Sequence, residues 1–191
     1  MKLLAISDQI SPVIYGRLEE SPFKEIDMVV SCGDLPLDYL EYIVSMLNVP
    51  CYFVPGNHDE RYLDSPPPGW TSLDGRIVNH EGIRLMGVGG SMSYKPDAGP
   101  YYYSERQLQL RFLRLQPYLW LHKKVDILVT HSPPYRLGDL EGPHRGFKVF
   151  RKFLEQYEPR FHLHGHVHLN YSQNPRIMNF GGTSIINAFQ H

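Results

Sequence analysis

Cysteine is scarce in this chain, and long apolar runs and an excess of charge of either sign are missing. Cys32 and Cys51 are the only cysteines among 191 residues. They are too few for a disulfide framework and are expected to be small buried residues beside strands. The apolar stretch Leu3–Ile6 is shorter than the roughly seven residues of a signal-peptide core and the about twenty of a membrane span. We therefore expect an intracellular, cytoplasmic protein with no membrane partner.

The charge balance argues against a polynucleotide partner. Lys and Arg number 19 and Asp and Glu number 20, for a formal net charge of −1, so there is no overall basic field, although a local basic groove would be compatible with a neutral total. Histidine is plentiful, with ten residues, and four of them alternate from His162 to His168. The length fits one domain, which we expect to span residues 1–191. Nothing in the composition predicts an oligomeric state.

Short apolar segments alternate with helix-like segments along the chain. Residues 3–6, 28–31 and 52–54 have the pattern of buried strands, whereas 37–47 carries Leu and Ile residues on one helical face. Ser104 and Gln107 predict a capping box that opens a further helix, and Pro117 is expected to end or kink it. Such alternation predicts an α/β fold.

Polar residues follow several of these apolar segments directly. Ligands of open α/β sheets gather beyond the carboxyl ends of the strands, so these residues are expected to converge, with Gly33, Gly56 and Gly165 letting the backbone approach closely. Each residue alone is more often an ordinary turn or loop residue, and it is the ordered set that indicates a metal site. The set is Asp8, Gly33-Asp34, Gly56-Asn57-His58-Asp59, His131 and Gly165-His166-Val167-His168.

Two carboxylates, an amide and several imidazoles suit a pair of divalent cations. With Asp8 and Asp34 ionised and neutral His ligands, two such cations leave a net positive site that attracts a phosphate ester. Bound metal also lowers the pKa of water from about 16 towards 7, which supplies a hydroxide nucleophile without Ser or Cys. The donor mixture favours Mn, Fe, Zn or a similar metal over Mg alone.

The Gly-Asp, Gly-Asn-His-Asp, His and Gly-His-x-His motifs, in this order, resemble those of the calcineurin-like metallophosphoesterase superfamily. The resemblance runs from Asp8 to His168. It implies a four-layer α/β/β/α sandwich of two packed mixed β-sheets, with the metal site at the carboxyl ends of the strands. It also implies a hydrolase, a phosphodiesterase or phosphatase acting on a small phosphate ester.

Carried over position by position, the resemblance implies a role for each site residue. Asp34 would bridge the two metals, while Asp8 and His168 would serve one of them. His58 would protonate the leaving oxygen or stabilise the transition state. The other metal would be held by Asn57, His131 and His166.

Two positions depart from the family pattern. The first motif is usually Asp-x-His, but the chain has Ile10 in the place of the His, so weaker metal binding is expected at the Asp8/His168 site. In some branches an Asp three residues after the Gly-Asp carboxylate orients the acid His. That place is Leu37 here, which leaves Asp38 and Asp59 as candidates for positioning His58.

Several alternatives remain open at the level of sequence. His144 and Arg145 precede a glycine on the loop after His131, where similar enzymes often place substrate contacts, although a solvated loop is about equally compatible. The run of tyrosines at 101–103 favours packing over an aromatic substrate wall. His162 and His164 are expected to be structural or to support the metal ligands, and not to bind metal themselves. Ile10 would also fit a catalytically silent scaffold for protein interaction, as one retromer subunit of the superfamily is. A nuclease would require a basic groove.

Overall fold

The computed structural model describes residues 1–18, 22–95, 98–122 and 124–191. Within these ranges the chain forms twelve strands and three α-helices. The helices are α1 Leu37–Leu47, α2 Glu105–His122 and α3 Lys148–Tyr157. The strands are β1 Leu3–Ile6, β2 Met28–Ser31, β3 Cys51–Phe53, β4 Trp70–Ser72, β5 Arg76–His80, β6 Ile83–Val88, β7 Ser91–Met92, β8 Tyr102–Tyr103, β9 Ile127–Thr130, β10 Phe161–His164, β11 Ile177–Phe180 and β12 Thr183–Asn187.

The strands form two larger sheets and one small pair. The first sheet has the order β1-β2-β3-β4, and the second has the order β11-β12-β10-β9-β6-β5. The four central strands of the second sheet are parallel to one another, and its two edge strands, β11 and β5, are antiparallel to their neighbours. This sheet is mixed, as predicted. β7 and β8 make the short additional pair.

The first sheet corrects the prediction of two mixed sheets, because all its strand pairs are parallel. After each strand of this sheet, the chain crosses back to the end of the sheet where that strand began, as α1 does between β2 and β3. Consecutive strands therefore run in the same direction. Crossovers of this length join parallel strands, whereas a tight hairpin would be needed for an antiparallel pair.

Three apolar clusters separate the layers. α1 covers the first sheet, with Leu40 and Ile43 packed in the same cluster as Val29. Val30, one residue along the same strand, points to the opposite face and joins Val129 of the second sheet in the cluster between the sheets. The third cluster packs α2 and α3 onto the outer face of the second sheet. The order of layers is therefore helix, sheet, sheet, helix, which agrees with the predicted sandwich.

α2 begins as predicted and extends further than predicted. The Ser104 hydroxyl accepts the backbone N–H of Gln107, and the Gln107 side chain accepts the backbone N–H of Ser104, which is the expected capping box. The helix does not end at Pro117 but continues to His122. Leu119 is fully buried in the cluster under α2, so packing of the last turns outweighs the hydrogen bond that Pro117 cannot make. No helix in the described ranges is both long and apolar enough to span a membrane.

Candidate metal centre

The predicted polar residues meet at one edge of the two sheets. β1, β2 and β3 are parallel, as are β9, β10 and β12, so the segments after these strands emerge at the carboxyl ends. Ser7 and Phe189 form a bridge between the two sheets at this edge, and the Gln190 N–H donates to the Ser7 carbonyl. The edges of the two sheets are thereby held together where the polar residues lie.

Asp8, Asp34 and His131 form the centre of the cluster. One ligand atom from each lies within 4.8 Å of the others. His131 Nε2 is 3.3 Å from Asp34 Oδ2 and 3.0 Å from Asn57 Oδ1. His131 Nδ1 lies 2.7 Å from the Cys32 carbonyl oxygen, which can hold the ring proton on that nitrogen. Nε2 is then the nitrogen available to a cation, as is usual for a metal-binding histidine.

His166 and His168 lie on different sides of this centre. The ring of His166 is 4.9 Å from that of His131, and its Nε2 is 3.0 Å from the Pro143 carbonyl, which leaves Nδ1 able to ligate. His168 Nε2 lies 3.8 Å from Asp8 Oδ1, and the His168 ring stacks on Phe189. The two histidines therefore flank the two halves of the cluster that the resemblance assigned to different metals.

His58 lies at the rim of an open cleft of about 460 Å³ that Asp8 and Asp34 also line. Its side chain is exposed, but its backbone N–H donates to Asp34 Oδ1 at 2.8 Å. This bond fixes the position of the His58 backbone relative to the acidic centre. The residues that line the cleft include a single arginine, Arg61, and no lysine. The cleft therefore does not supply the basic groove that a nuclease would require.

Three residues of the cluster share a strained backbone conformation. Asp8, Asp34 and His166 have φ of 65°, 58° and 66°, in the left-handed region that residues with a side chain seldom adopt. A hydrogen bond offsets part of this strain, because the His166 backbone N–H donates to the Asp8 carboxylate, with the nitrogen 3.0 Å from both carboxylate oxygens. Strain retained at several neighbouring residues is typical of functional sites.

Two glycines leave the space that these side chains occupy. A Cβ on Gly56 would clash with the Asp34 carboxylate and lie 2.7 Å from His131 Cε1. A Cβ on Gly165 would clash with Ser7 and lie 2.6 Å from Asp8 Oδ2. The predicted close approach at these glycines is confirmed.

Asp59 supports the cluster from behind. Its Oδ2 accepts the backbone N–H of Asp34 at 2.7 Å and that of Gly56 at 2.8 Å, and the residue is buried. Asp38, the other candidate for a positioning role, is exposed on the first turn of α1. Asp59 therefore holds the backbones of Asp34 and Gly56 in place, and through Asp34 it also affects the bond to His58.

The pKa values of the cluster describe a site that attracts positive charge. Burial raises the pKa of Asp8 to about 6, and the charge of Asp34 adds to the rise. Burial acts to raise the pKa of Asp34 as well, but His131 outweighs it and lowers that pKa to about 2. For His131, burial acts to lower the pKa, but Asp34 and Asp8 raise it to about 9. The two carboxylates thus hold a proton on His131, in the place where a metal cation would interact with all three groups.

The donor set therefore fits divalent metal. It combines carboxylate, amide and imidazole groups, which suit Mn, Fe, Zn and similar ions. The Asp8 side chain is 1% exposed, and a buried carboxylate requires a compensating cation or hydrogen bonds. Gly56 and Gly165 supply the room for the acidic groups to converge.

Comparison with known proteins identifies the fold family. The family model of calcineurin-like phosphoesterases matches residues 4–170. The chain belongs to the calcineurin-like phosphoesterase family. Among solved structures, the protein TT1561 of Thermus thermophilus superposes with a TM-score of 0.66 at 15% identity, over 97% of this chain and 87% of that one. GAP50, described as the anchor in the inner membrane complex of Plasmodium, superposes with a TM-score of 0.59 at 13% identity, over 98% of this chain and 70% of that one. Both likenesses concern the fold.

Two curated relatives match part of the chain. The UPF0046 protein K07C11.7 of Caenorhabditis elegans is 30% identical over 121 residues, which cover 63% of this chain and 38% of the relative. The probable glycerophosphodiester phosphodiesterase GpdQ of Arcobacter nitrofigilis is 27% identical over 170 residues, which cover 74% of this chain and 56% of the relative. The chain thus spans between about a third and just over half of the length of these two relatives.

In this calcineurin-like chain, Ile10 lies where the family usually has a metal-binding His. It lines the cleft and packs against the core under the first sheet. No ligand atom is available at this position, so on this side of the centre the predicted protein donors are Asp8, Asp34 and His168.

The two predicted substrate residues lie in different surroundings. The ring of His144 is 5.1 Å from that of His166, and His144 Nε2 lies 3.0 Å from the Tyr171 hydroxyl. Arg145 instead lines a separate cavity, with its guanidinium 5.0 Å from the Tyr135 ring. The structure brings His144 to the cluster and directs Arg145 away from it.

Some contacts of the site were missed at the level of sequence. Tyr102, within the tyrosine run that favoured packing, accepts a hydrogen bond from Asn57 Nδ2 at 3.1 Å. The run of identical residues gave no signal of which tyrosine would reach the site. His162 and His164 are buried within β10, and His162 Nε2 lies 2.8 Å from the Thr130 hydroxyl, which agrees with their expected structural role.

Proposed function

We propose that this chain is a metal-dependent phosphoesterase that hydrolyses a small phosphate ester, with one domain spanning residues 1–191. The observation that carries the proposal is the meeting of Asp8, Asp34 and His131 within 4.8 Å, at the carboxyl ends of strands in a calcineurin-like fold. Since these residues are far apart in the sequence, their convergence requires the whole fold. Burying so much charge is costly unless a cation compensates it.

We infer two metal positions that share Asp34. Asn57, His131 and His166 would hold one ion, and Asp8 and His168 would hold the other. Divalent metal bound here would attract the phosphate, stabilise charge on its oxygens and lower the pKa of water towards neutrality. With Ile10 at the position of a further ligand, we expect the second ion to exchange more readily than the first.

The chain's own residues have separate roles in this proposal. His58, at the cleft rim, would donate a proton to the oxygen of the leaving alcohol. Its backbone bond to Asp34 keeps it next to the acidic centre. Tyr102 would orient Asn57, because its hydroxyl accepts from the Asn57 amide and so directs Asn57 Oδ1 towards His131. Asp59 would hold Asp34 in position.

A phosphodiester is the first substrate class to test. The relative from Arcobacter nitrofigilis is named as a probable glycerophosphodiester phosphodiesterase, which supports this order of testing. The cleft is open and of about 460 Å³, so it admits a small ester.

The test combines metal analysis with an activity assay. Protein purified without chelator is analysed for bound metal and is assayed with Mn²⁺ on bis(p-nitrophenyl) phosphate. The His58→Ala variant is expected to keep its metal. On a glycerophosphodiester, whose leaving alcohol must be protonated, it should lose about 10²- to 10⁴-fold in rate, which is the usual contribution of general acid catalysis. On the nitrophenyl ester, whose leaving oxygen needs no proton, its loss should be much smaller. Asn57→Ala is expected to lose metal as well as rate.

His80→Ala is the matched control. His80 is half-buried and lines a cavity with Met1, Asp27 and Pro50, at the opposite ends of the strands, so its removal should leave the rate unchanged. Protein with no bound metal and no turnover, and an Asn57→Ala variant that behaves like the parent, would contradict the proposal.

A catalytically silent scaffold is the second candidate, and Ile10 is the observation that favours it. A scaffold would not require buried carboxylates and imidazoles to converge, which makes it the weaker candidate. Stoichiometric metal without turnover on either phosphodiesters or phosphomonoesters would support the scaffold.

A further inference from the structure

α2 carries large apolar side chains on two opposite faces. Leu108, Phe112, Leu115 and Leu119 are buried in the cluster beneath the helix. Leu110, Leu113, Trp120 and Leu121 are between 52% and 79% exposed. At 3.6 residues per turn, the second set is centred on the side of the helix directly away from the first. We call this second set the α2 ridge.

The α2 ridge has no role in the site described above. Four exposed large apolar residues on one helix face exceed the scattered single residues that are normal on a surface, and such patches mark contacts with other proteins or with membranes. Trp120, the most exposed of the four, projects from the last turns of the helix. Leu113 also lines an open depression of about 340 Å³ between α2 and α3, together with Lys152 of α3.

Basic side chains surround the ridge. After Glu105, α2 contains no acidic residue but includes Arg106 and Arg114, both near the ridge on the helix surface. On the adjacent α3, Lys152 is exposed and lines the same depression as Leu113, whereas the Lys148 ammonium lies over the Tyr135 ring.

The acidic residues of these two helices, Glu105 and Glu155, are engaged elsewhere. The Glu105 carboxylate accepts the backbone N–H groups of Lys148 and Val149 at the start of α3. Glu155 is paired with Arg151. The outer helical layer is therefore apolar along the ridge and positively charged around it.

We propose that the α2 ridge binds the surface of a membrane that contains anionic lipids. Trp and Leu side chains beside Arg and Lys are the composition of helices that lie in the membrane interface, where Trp is favoured at headgroup level. A second copy of this chain would bring two basic faces together. A protein partner would need a surface matched to the shape of these side chains, whereas a fluid lipid surface adapts to them.

This inference goes beyond the proposed function and does not depend on it. It departs from the expectation of no membrane partner, which was based on the lack of a signal segment and a membrane span. A helix that lies on the membrane needs neither.

The orientation of α2 keeps the candidate metal centre accessible. The helix starts next to β8, whose Tyr102 contacts Asn57. Trp120 follows Glu105 by fifteen residues, which corresponds to about 22 Å along the helix axis. A membrane bound along the ridge would contact the face of α2 that points away from the second sheet, whereas the cleft lies at the carboxyl ends of the strands, so hydrolysis of a water-soluble ester should be unaffected by vesicles.

Vesicle sedimentation tests the proposal. The full chain is mixed with vesicles of phosphatidylcholine alone or of phosphatidylcholine and phosphatidylglycerol in equal amounts. The parent is expected to bind the anionic vesicles at least about tenfold more strongly than the neutral ones, since each basic residue near an anionic surface adds to the attraction. The double variant Trp120→Glu/Leu121→Glu is expected to lose binding to both, and Arg106→Gln/Arg114→Gln to lose the preference for anionic lipid.

Ile177→Glu is the matched control, because Ile177 is 58% exposed but lies on the edge strand β11, and it should bind like the parent. Unchanged thermal unfolding of each variant shows that the fold is intact. Equal sedimentation of the parent and the Trp120→Glu/Leu121→Glu variant would overturn the proposal. So would a parent that ignores vesicles but forms a dimer, by light scattering, that this variant abolishes.

Discussion

At the scale of single residues, Asp59 shows how a buried carboxylate that is not a predicted metal ligand can organise the cleft that it lines. Its Oδ2 accepts two backbone N–H groups, from Asp34 and Gly56. Asp59→Ala leaves both donors unsatisfied, so we expect the free energy of unfolding to fall by about 1–3 kcal/mol. Mn²⁺ affinity, measured by titration calorimetry, should also fall because Asp34 loses its support.

Asp38→Ala is the control for this variant, since Asp38 is exposed on α1 and its removal should change neither stability nor metal affinity appreciably. Equal effects of the two substitutions would refute the supporting role of Asp59.

Residues of the cluster differ in how far the sequence could predict them. Asp8, Asp34 and His131 follow short buried strands, and the rule that ligands gather at strand ends was enough to place them together. Tyr102 also touches the cluster, through Asn57, but it comes from a two-residue strand with no local pattern. Its contact depends on how a distant segment packs, which a single sequence does not encode in any short motif.

At the scale of secondary-structure elements, α2 tolerates a proline that should disrupt it. Pro117 lacks the N–H for a helical hydrogen bond and costs about 3 kcal/mol in a helix interior. Because α2 nevertheless continues to His122, we expect Pro117→Ala to raise the free energy of unfolding by about 1–3 kcal/mol. Denaturant unfolding of both proteins would measure the gain.

Arg114→Ala, at an exposed position of the same helix, is the control for helix propensity and should change stability little. A Pro117→Ala variant that is no more stable than the parent would show that the helix has already relaxed around the proline.

The elements also show where sequence patterns stop being informative. Apolar residues at helical spacing identified the buried face of α1, which is confirmed, and the capping box identified the start of α2. The extension past Pro117 could not be predicted, because it depends on the burial of Leu119 against the second sheet. The parallel arrangement of the first sheet could not be predicted either, because it depends on the end of the sheet to which each connecting segment leads the chain.

At the scale of the whole molecule, metal binding should stabilise the fold in a pH-dependent manner. Burial raises the pKa of Asp8 to about 6, above that of the unfolded chain. Without metal, the stability from this group is present below about pH 4 and is lost as pH rises through about 6. Metal requires the deprotonated carboxylate, so protons compete with it below pH 6.

We therefore expect Mn²⁺ to raise the melting temperature of chelator-treated protein more at about pH 7.5 than at about pH 5. One carboxylate of this pKa accounts for a difference of about 1.4 kcal/mol at the lower pH. The proton on His131, whose pKa the two carboxylates raise to about 9, must also leave when metal binds, and this adds to the difference in the same direction. The His166 pKa, which burial lowers to about 3, changes the total stability in the opposite direction, so the increment due to metal is the quantity to compare. An increment equal at both pH values would contradict metal binding by Asp8 and His131.

The central claim is that side chains from separate strands form one centre for two metal ions. Anomalous diffraction from crystals grown with Mn²⁺ and phosphate tests it most directly. We predict two anomalous peaks at the cluster, one within bonding distance of His131 and His166 and one beside Asp8 and His168, with Asp34 between them. Crystals in which the Asp34 and His131 side chains are well ordered but no anomalous peak lies between them would contradict the account.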